Sequence, residues 1–328
     1  MSQSPSIVRG PAAVEQAAQV LRDGGLVGMP TETVYGLAGD AGNPAAVARI
    51  FAAKGRPRFN PLISHVATVE LAAREGELDE RALVLAEAFW PGPLTLVVPA
   101  AAAGRTCDLA RAGLGTIALR VPGHPMARAL LEAFGGPVSA PSANPSGRLS
   151  PTRPEDVARE LGDGVALVLD GGPCSAGIES TIVSLLPGEP PRLLRPGAIE
   201  RERIEAVAGP LAKAAGDAVT APGQLASHYA PRAAIRLEAA EARAGEVLLG
   251  FGPQAPQDTL NLSPSGDSVE AAANLYRMLR ELDTAGADTI AVMPIPAEGL
   301  GEAINDRLRR AAEPRAGARQ AAARRPPL

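Results

Sequence analysis

An α/β protein of two domains is what this sequence predicts, on three observations. The chain has 328 residues, more than one typical domain holds. Short apolar runs and helix-spaced segments interleave as far as Ala208. After a stretch rich in Gly and Pro, a second and shorter alternation of strand and helix follows.

From Ala12 to Arg22, "AAVEQAAQVLR" carries helical spacing and stops at Gly24-Gly25, a helix-ending signal. "LVGM" reads as a short buried strand, and "PTETVYG" as the loop leaving its end. Asn43 and Pro44 open the helix "NPAAVARIFAAK", because an Asn side chain caps free amides and Pro suits the first turn. "GRPRFNPLISHV" is a loop running into a strand. The helices "VELAARE" and "DERALVLAEAFW" precede the strands "LTLVVP" and "GTIALRVP" and the helix "PMARALLEAF". "GPVSAPSANPSGRLSPT" passes from strand into a polar loop, and "VALVLDGG", "STIVSLL" and "PRLLRPG" are further strands. These elements form a first domain over residues 1–208.

Residues 209–235 lack apolar periodicity and are predicted to be an interdomain linker. Over 236–312, "GEVLLGFG", "SVEAAANLYRMLRELDTAG", "DTIAVMPIP" and "GLGEAINDRLRRAA" alternate strand, helix, strand, helix, as in a small parallel unit. The basic stretch 313–328 is predicted to be a disordered tail.

Composition excludes several classes. Aromatic residues make up 3% of the chain, so platforms for stacking bases are scarce. A net charge of −4 argues against a protein that wraps a polyanion. Cys107 and Cys174 stand alone, without a CxxC or a ligand-spaced His, so neither a disulfide framework nor a metal site is predicted. The start "MSQSPSIVRG" lacks the pattern of a signal peptide, and no apolar run reaches membrane-spanning length, so the expectation is a soluble, cytoplasmic protein.

Charge is distributed unevenly. No acid lies between Asp40 and Glu70, a span holding Arg49, Lys54, Arg56 and Arg58, which implies a local positive pocket. Lys54 and Lys213 are the two lysines among 32 basic residues. Lys54 and Arg56 leave a helix into a Gly/Pro loop, where neither helix pairing nor core packing accounts for them. Arg120 ends the apolar strand "TIALR", whereas Arg49 and Arg128 read as solvated surface charges. Neither GxxxxGK[ST] nor a helix-opening GxGxxG occurs, so any nucleotide must be held by side chains gathered from several loops. "SAPSANPSGRLSPT" and "ESTIV" offer such hydroxyls and amides, although turn propensity alone also explains their composition. His65 ends a strand close to the basic loop and is a candidate ligand contact. His124 reads as a local cap, and His228 lies beside Tyr229 in the linker. No Ser/His/Asp or Cys/His nucleophile pattern and no carboxylate pair stands out, which points to charge stabilisation and positioning.

The ordered motifs "MPTETVYGL", "KGRPRFNPLISHV", "WPGPLTLV", "TIALRVP", "APSANPSGRLSPT", "IESTIV" and "LLRPG" resemble the YrdC-like L-threonylcarbamoyladenylate synthases. The later "HYAP" and "GLGEAINDRLRRAA" are similar to the two-domain form of that family. The resemblance implies a twisted open α/β sheet with a large cavity, related to double-stranded-RNA-binding folds, joined to a smaller Rossmann-like C-terminal domain. It implies formation of threonylcarbamoyl-AMP and pyrophosphate from L-threonine, bicarbonate and ATP, with Mg2+ accompanying the ATP. The product would pass to a tRNA threonylcarbamoyl transferase that modifies the adenosine beside the anticodon.

Carried onto matching positions, the resemblance assigns L-threonine to Thr33, His65, Arg120, Thr181 and the backbone at Ala140. It assigns ATP to Arg56, Asn60, Thr116, Ser142, Asn144, Ser150 and Arg195, with His228 or Tyr229 closing over the nucleotide from the linker. Lys54 and Arg56 are the expected catalytic cations. Ser184 stands where the family often has Asp, and no role is assigned to it. Glu32 is left open between a metal, the threonine amine and an arginine partner. An RNA-binding module is the alternative, opposed by acidic charge and few aromatics, with a weak RNA contact still allowed. A regulator that keeps the nucleotide pocket without turnover is another.

Overall fold

The computed structural model describes residues 5–213, 221–223 and 227–314. The chain divides into two units, Met1–Ser146 with Ser150–Gln224, and Gly147–Leu149 with Leu225–Leu328. The division falls inside the segment 209–235, and three residues of the polar loop belong to the second unit. Residues 214–220 and 224–226 of that segment, and 315–328 of the tail, lie outside the described residues.

Among the described residues the first unit builds one 11-stranded mixed sheet. Its strands lie in the order Ser6–Val8, Leu167–Leu169, Val27–Met29, Gly36–Asp40, Val138–Ser139, Ile63–His65, Thr116–Arg120, Leu94–Pro99, Thr181–Ser184, Arg192–Arg195 and Ala212–Lys213. Apolar runs such as "LTLVVP" are buried along nearly their whole length, as expected of interior strands. Helices Pro11–Arg22 and Pro125–Phe134 bury Ala17, Leu21, Ala127, Leu130 and Leu131 in one core cluster. Leu85, Trp90, Leu94, Leu96 and Leu119 form a second.

Strand direction positions the chemistry. Ile63–His65 and Thr116–Arg120 are parallel and align His65 with Arg120. Leu94–Pro99 runs against the latter, and Thr181–Ser184 runs with Leu94–Pro99. Arg192–Arg195 is antiparallel to Thr181–Ser184. His65, Arg120, Thr181 and Arg195 therefore reach the same end of the sheet from four strands.

The helix Pro44–Lys54 starts as predicted, with the Asn43 side chain accepting from the Ala45 and Ala46 amides at 2.9 and 3.3 Å. It stops at Gly55, whose φ of 58° turns the chain sharply; Lys54 reaches the polar loop, while Arg56 bonds back to Asn60 and Pro61 in its own loop. The strand Gly36–Asp40 and the helices Pro154–Leu161 and Arg201–Ala208 are additional to the elements predicted.

The second unit has a four-stranded sheet, entirely parallel, in the order Ala234–Arg236, Thr289–Val292, Glu246–Gly250, Leu260–Asn261. Helices Ser268–Thr284 and Gly301–Ala312 complete it. Asp267 caps the longer helix by accepting from the Val269 and Glu270 amides at 2.7 and 3.1 Å. Its first strand begins within the stretch read as linker, because Ala234–Arg236 pairs with Thr289–Val292. No helix among the described residues is long and apolar enough to cross a membrane.

Candidate functional site

Arg120 is the centre of one group. It is 3% exposed, and its guanidinium donates from Nε to the Gly92 carbonyl at 3.2 Å, from Nη1 to Thr33 Oγ1 at 3.0 Å and from Nη2 to Glu32 Oε1 at 2.6 Å. Thr33 is held in a tight turn in which the Thr31 hydroxyl accepts from the Thr33 and Val34 amides. The two threonine hydroxyls lie 2.8 Å apart. The loop "PTETV" therefore needs hydroxyls both to fold on itself and to meet Arg120.

Burial works against ionisation of Glu32, but the charge and hydrogen bond of Arg120 outweigh it and hold the carboxyl below its usual range. The His65 imidazole is pushed down to about 3, first by burial and then by Arg120, so it is neutral. Its Nδ1 and Glu32 Oε2 are buried and make no hydrogen bond.

Lys54 anchors a second group. Its Nζ donates to the carbonyls of Ser142 and Asn144, both at 2.5 Å, and the Ser146 amide donates to the Lys54 carbonyl at 2.7 Å. Among the described residues no carboxylate pairs with it. Burial, reinforced by the charge of Arg56, holds its ammonium well below the ordinary lysine range. Arg56 donates to the carbonyls of Asn60 and Pro61 at 3.2 and 2.8 Å. Asn60 is fully buried, yet neither its amide oxygen nor its nitrogen has a partner. Such a group is costly unless a ligand completes it.

A third group lies along "IESTIV" and "LLRPG". Ser150 donates to Glu179 Oε1 at 2.6 Å, and Arg195 donates to the Ser180 carbonyl from Nη2 and Nε at 2.9 and 3.2 Å. Gly197 has no room for a side chain, since a Cβ there would lie 2.4 Å from the Glu179 oxygen. The polar loop ties these groups to the first, because Leu37 and Tyr35 donate to the Pro141 and Pro151 carbonyls at 2.7 and 2.9 Å.

Not every predicted residue is brought in equally. The Thr181 hydroxyl is committed to Ile199, donating to its carbonyl at 2.7 Å and accepting from its amide at 2.9 Å. The Ala140 amide donates to Ile63 at 3.1 Å, which leaves its carbonyl as the group on offer. Thr116 opens its strand half-buried and forms no hydrogen bond to the three groups. His228 and Tyr229 are buried within the second unit. The His228 amide donates to the Arg310 carbonyl at 3.2 Å, and the Tyr229 ring lies 4.0 Å from the His228 ring and 4.9 Å from Arg307 Cζ. The Ser180 hydroxyl accepts from Arg195 Nη2 at 3.2 Å and lies 2.7 Å from the Thr95 hydroxyl; Thr95 is additional to the predicted residues, its signal being a threonine inside the apolar run "LTLVV". No described group of three or more His, Cys, Asp or Glu is placed to hold a metal ion.

The first unit is a mixed α/β sheet that buries Lys54 near Arg56 and, in a separate group, gathers Arg120, Glu32, His65 and Thr33. Residues 19–197 match the family described as Telomere recombination, and residues 199–313 match the Threonylcarbamoyl-AMP synthase C-terminal domain. The chain belongs to the threonylcarbamoyl-AMP synthase family. It is 39% identical over 323 residues to the threonylcarbamoyl-AMP synthase of Bacillus subtilis (strain 168), covering 91% of this chain and 92% of that protein. Identity to the Pyrococcus abyssi protein of the same name is 40% over 320 residues, covering 90% and 92%. The crystal structure of P. abyssi Sua5 complexed with L-threonine superposes with a TM-score of 0.85 at 37% identity, covering 94% of this chain and 97% of that one.

Proposed function

We propose that the chain is a nucleotidyltransferase that makes threonylcarbamoyl-AMP and pyrophosphate from L-threonine, bicarbonate and ATP. The observation that carries this reading is Lys54, buried with two carbonyls and, among the described residues, no carboxylate, in the same unit as the Arg120 group. Relatives that match over most of their length bear the synthase name, and the P. abyssi structure is described with L-threonine.

In this reaction the threonine nitrogen bonds to the bicarbonate carbon as water leaves. A carbamate oxygen then attacks the α-phosphorus, and the bond to the β-phosphate oxygen breaks to release pyrophosphate. Carbamate and triphosphate are both anions, so their approach requires fixed positive charge. A guanidinium has five N–H donors, and Arg120 uses three, leaving one on each terminal nitrogen for the threonine carboxylate. Neutral His65 and the Thr33 hydroxyl give the amino acid directional contacts and the Ala140 carbonyl adds an acceptor, whereas the Thr181 hydroxyl and amide are taken by Ile199 and Pro93, so its assignment rests on the family resemblance.

Lys54, Arg56 and Arg195 offset phosphate charge. Asn60, Ser142, Asn144, Ser150 and Thr116 orient the nucleotide, and the unpartnered amide of Asn60 gives that assignment its clearest support. The assignment of His228 and Tyr229 to the nucleotide rests on the family resemblance. Mg2+ would enter with the triphosphate as part of the substrate and would offset part of its charge. The product serves a transferase that modifies tRNA, in the cytoplasm. Placement supplies most of the acceleration.

The test is pyrophosphate release in an omission series. Release should require ATP, threonine and bicarbonate together, and release indifferent to threonine would refute the reading.

A further inference from the structure

We propose that Glu32 is a substrate-binding carboxylate whose Oε2 receives the α-nitrogen of the amino acid held by Arg120. The proposal rests on the preceding reading of this pocket as an amino-acid site. One carboxylate oxygen, Oε1, is taken by Arg120 at 2.6 Å; the other is buried and makes no hydrogen bond of good geometry, with only the backbone amides of Glu32 and Gly123 near the carboxyl to help hold it ionised. A carboxylate oxygen seldom stays buried without a donor, because the lost hydration is not repaid. The main chain at Glu32 is held by the Ala176 amide, which donates to the Glu32 carbonyl at 2.8 Å, and by the Thr31 turn, while the bond from Arg120 holds the carboxyl itself.

Charge selects the occupant. A free amino acid is a zwitterion, and Arg120 alone would suit its carboxylate while leaving an ammonium in a buried site without counter-charge. Glu32 supplies the missing sign. The other titratable groups coupled to it are uncharged: His65 is pushed down to about 3, and the Cys174 thiol is pushed up to about 12, in both cases chiefly by burial. Glu32 and Arg120 thus form a pair of opposite charges matched to the two charges of the substrate. An N–H persists on the α-nitrogen through ammonium, amine and carbamate, so the contact to Oε2 survives carbamoylation and keeps the nitrogen oriented.

Glu32→Gln tests this, because it keeps a carbonyl for Arg120 and replaces the other acceptor with an amide donor. Wild type and variant are titrated calorimetrically with L-threonine, with 3-hydroxybutyrate of matching configuration, which lacks the amine, and with L-2-aminobutyrate, which lacks the hydroxyl. The variant should lose about 10- to 100-fold in affinity for both amine-bearing ligands and less than about 3-fold for 3-hydroxybutyrate. Equal losses for all three would show that Glu32 only places Arg120, and would overturn the proposal. A loss confined to threonine would mean that Glu32 reads the hydroxyl, with the same consequence. Wild-type protein that binds no threonine would overturn the pocket reading itself and this proposal with it. Should the Gln variant fail to fold, Glu32→Asp retains the charge but draws the oxygen back by one methylene, and the same ligand selectivity is expected.

Discussion

Replacing Arg120 with lysine separates the clamp from the scaffold. The native guanidinium spans three acceptors, at 3.2 Å on Gly92, 3.0 Å on Thr33 and 2.6 Å on Glu32. Alanine would strand Glu32 as a buried, unpaired charge at a cost of about 3 to 5 kcal/mol, so folding and binding would fail together. Lysine keeps the positive charge beside Glu32 but concentrates its donors on one nitrogen. Losing the two bonds to neutral acceptors costs about 1 to 3 kcal/mol of stability, read from urea unfolding. Loss of the two-pronged contact to the ligand carboxylate costs a further 1.5 to 3 kcal/mol or so, about 10- to 150-fold in threonine affinity, read by calorimetry. A variant that unfolds earlier yet binds threonine within about twofold of wild type would show Arg120 to be scaffold and not clamp.

The remaining predictions address charge, packing and acid sensitivity. Because burial lowers the Lys54 pKa and an arriving phosphate would raise it, ATP affinity should fall more steeply with rising pH in wild type than in Lys54→Met, measured by calorimetry across pH. Gly197→Ala would place a Cβ 2.4 Å from the Glu179 oxygen, and the displacement should cost about 1 to 3 kcal/mol and weaken ATP binding, measured by unfolding and nucleotide titration. Glu75 accepts from the Arg105 and Thr106 amides and the Thr106 hydroxyl at 3.0, 2.9 and 2.8 Å, so Glu75→Ala should destabilise the fold by about 3 kcal/mol in urea. His65 titrates at about 3 when folded and at 6.5 when free, so the unfolded chain binds the extra proton between those values and stability should fall as pH drops through that window. His65→Asn should flatten this slope in acid unfolding curves.

Elements with a strong local signal were legible in the sequence. "PMARALLEAF" forms Pro125–Phe134 and "LTLVVP" forms Leu94–Pro99, because apolar spacing and caps agree there with tertiary packing. "GLAGD" was invisible as a strand, since its residues are poor strand formers and pairing with Val27–Met29 and Val138–Ser139 imposes the conformation. Both of its glycines have a packing reason, as a Cβ at Gly36 would lie 3.0 Å from Ala140 and one at Gly39 2.9 Å from Leu26 and 3.0 Å from Ile50. The helix "RERIEAVA" is short and polar and buries Ile204 alone, so it shows no apolar stripe, whereas "PEDVAREL" buries Pro154, Val157 and Leu161 on one face but spans only eight residues between Pro-rich and Gly-rich loops.

For the site, Lys54 and Arg120 announced themselves as cations that local structure could not use. Glu32 could not be resolved from sequence, because its pairing with Arg120 spans 88 positions. The second-unit membership of Gly147–Leu149 is a long-range fact of the same kind, expressed by Ala230 donating to Gly147 at 2.8 Å and Arg280 donating to Leu149 at 3.0 Å.

The most direct test follows the carbon. The protein is incubated with 13C-bicarbonate, L-threonine, ATP and Mg2+, and the products are resolved by mass spectrometry beside a Lys54→Met control. The account predicts a threonylcarbamoyl-AMP species carrying the label in wild type and little in the variant. AMP and pyrophosphate formed without labelled carbon in any threonine adduct would contradict it.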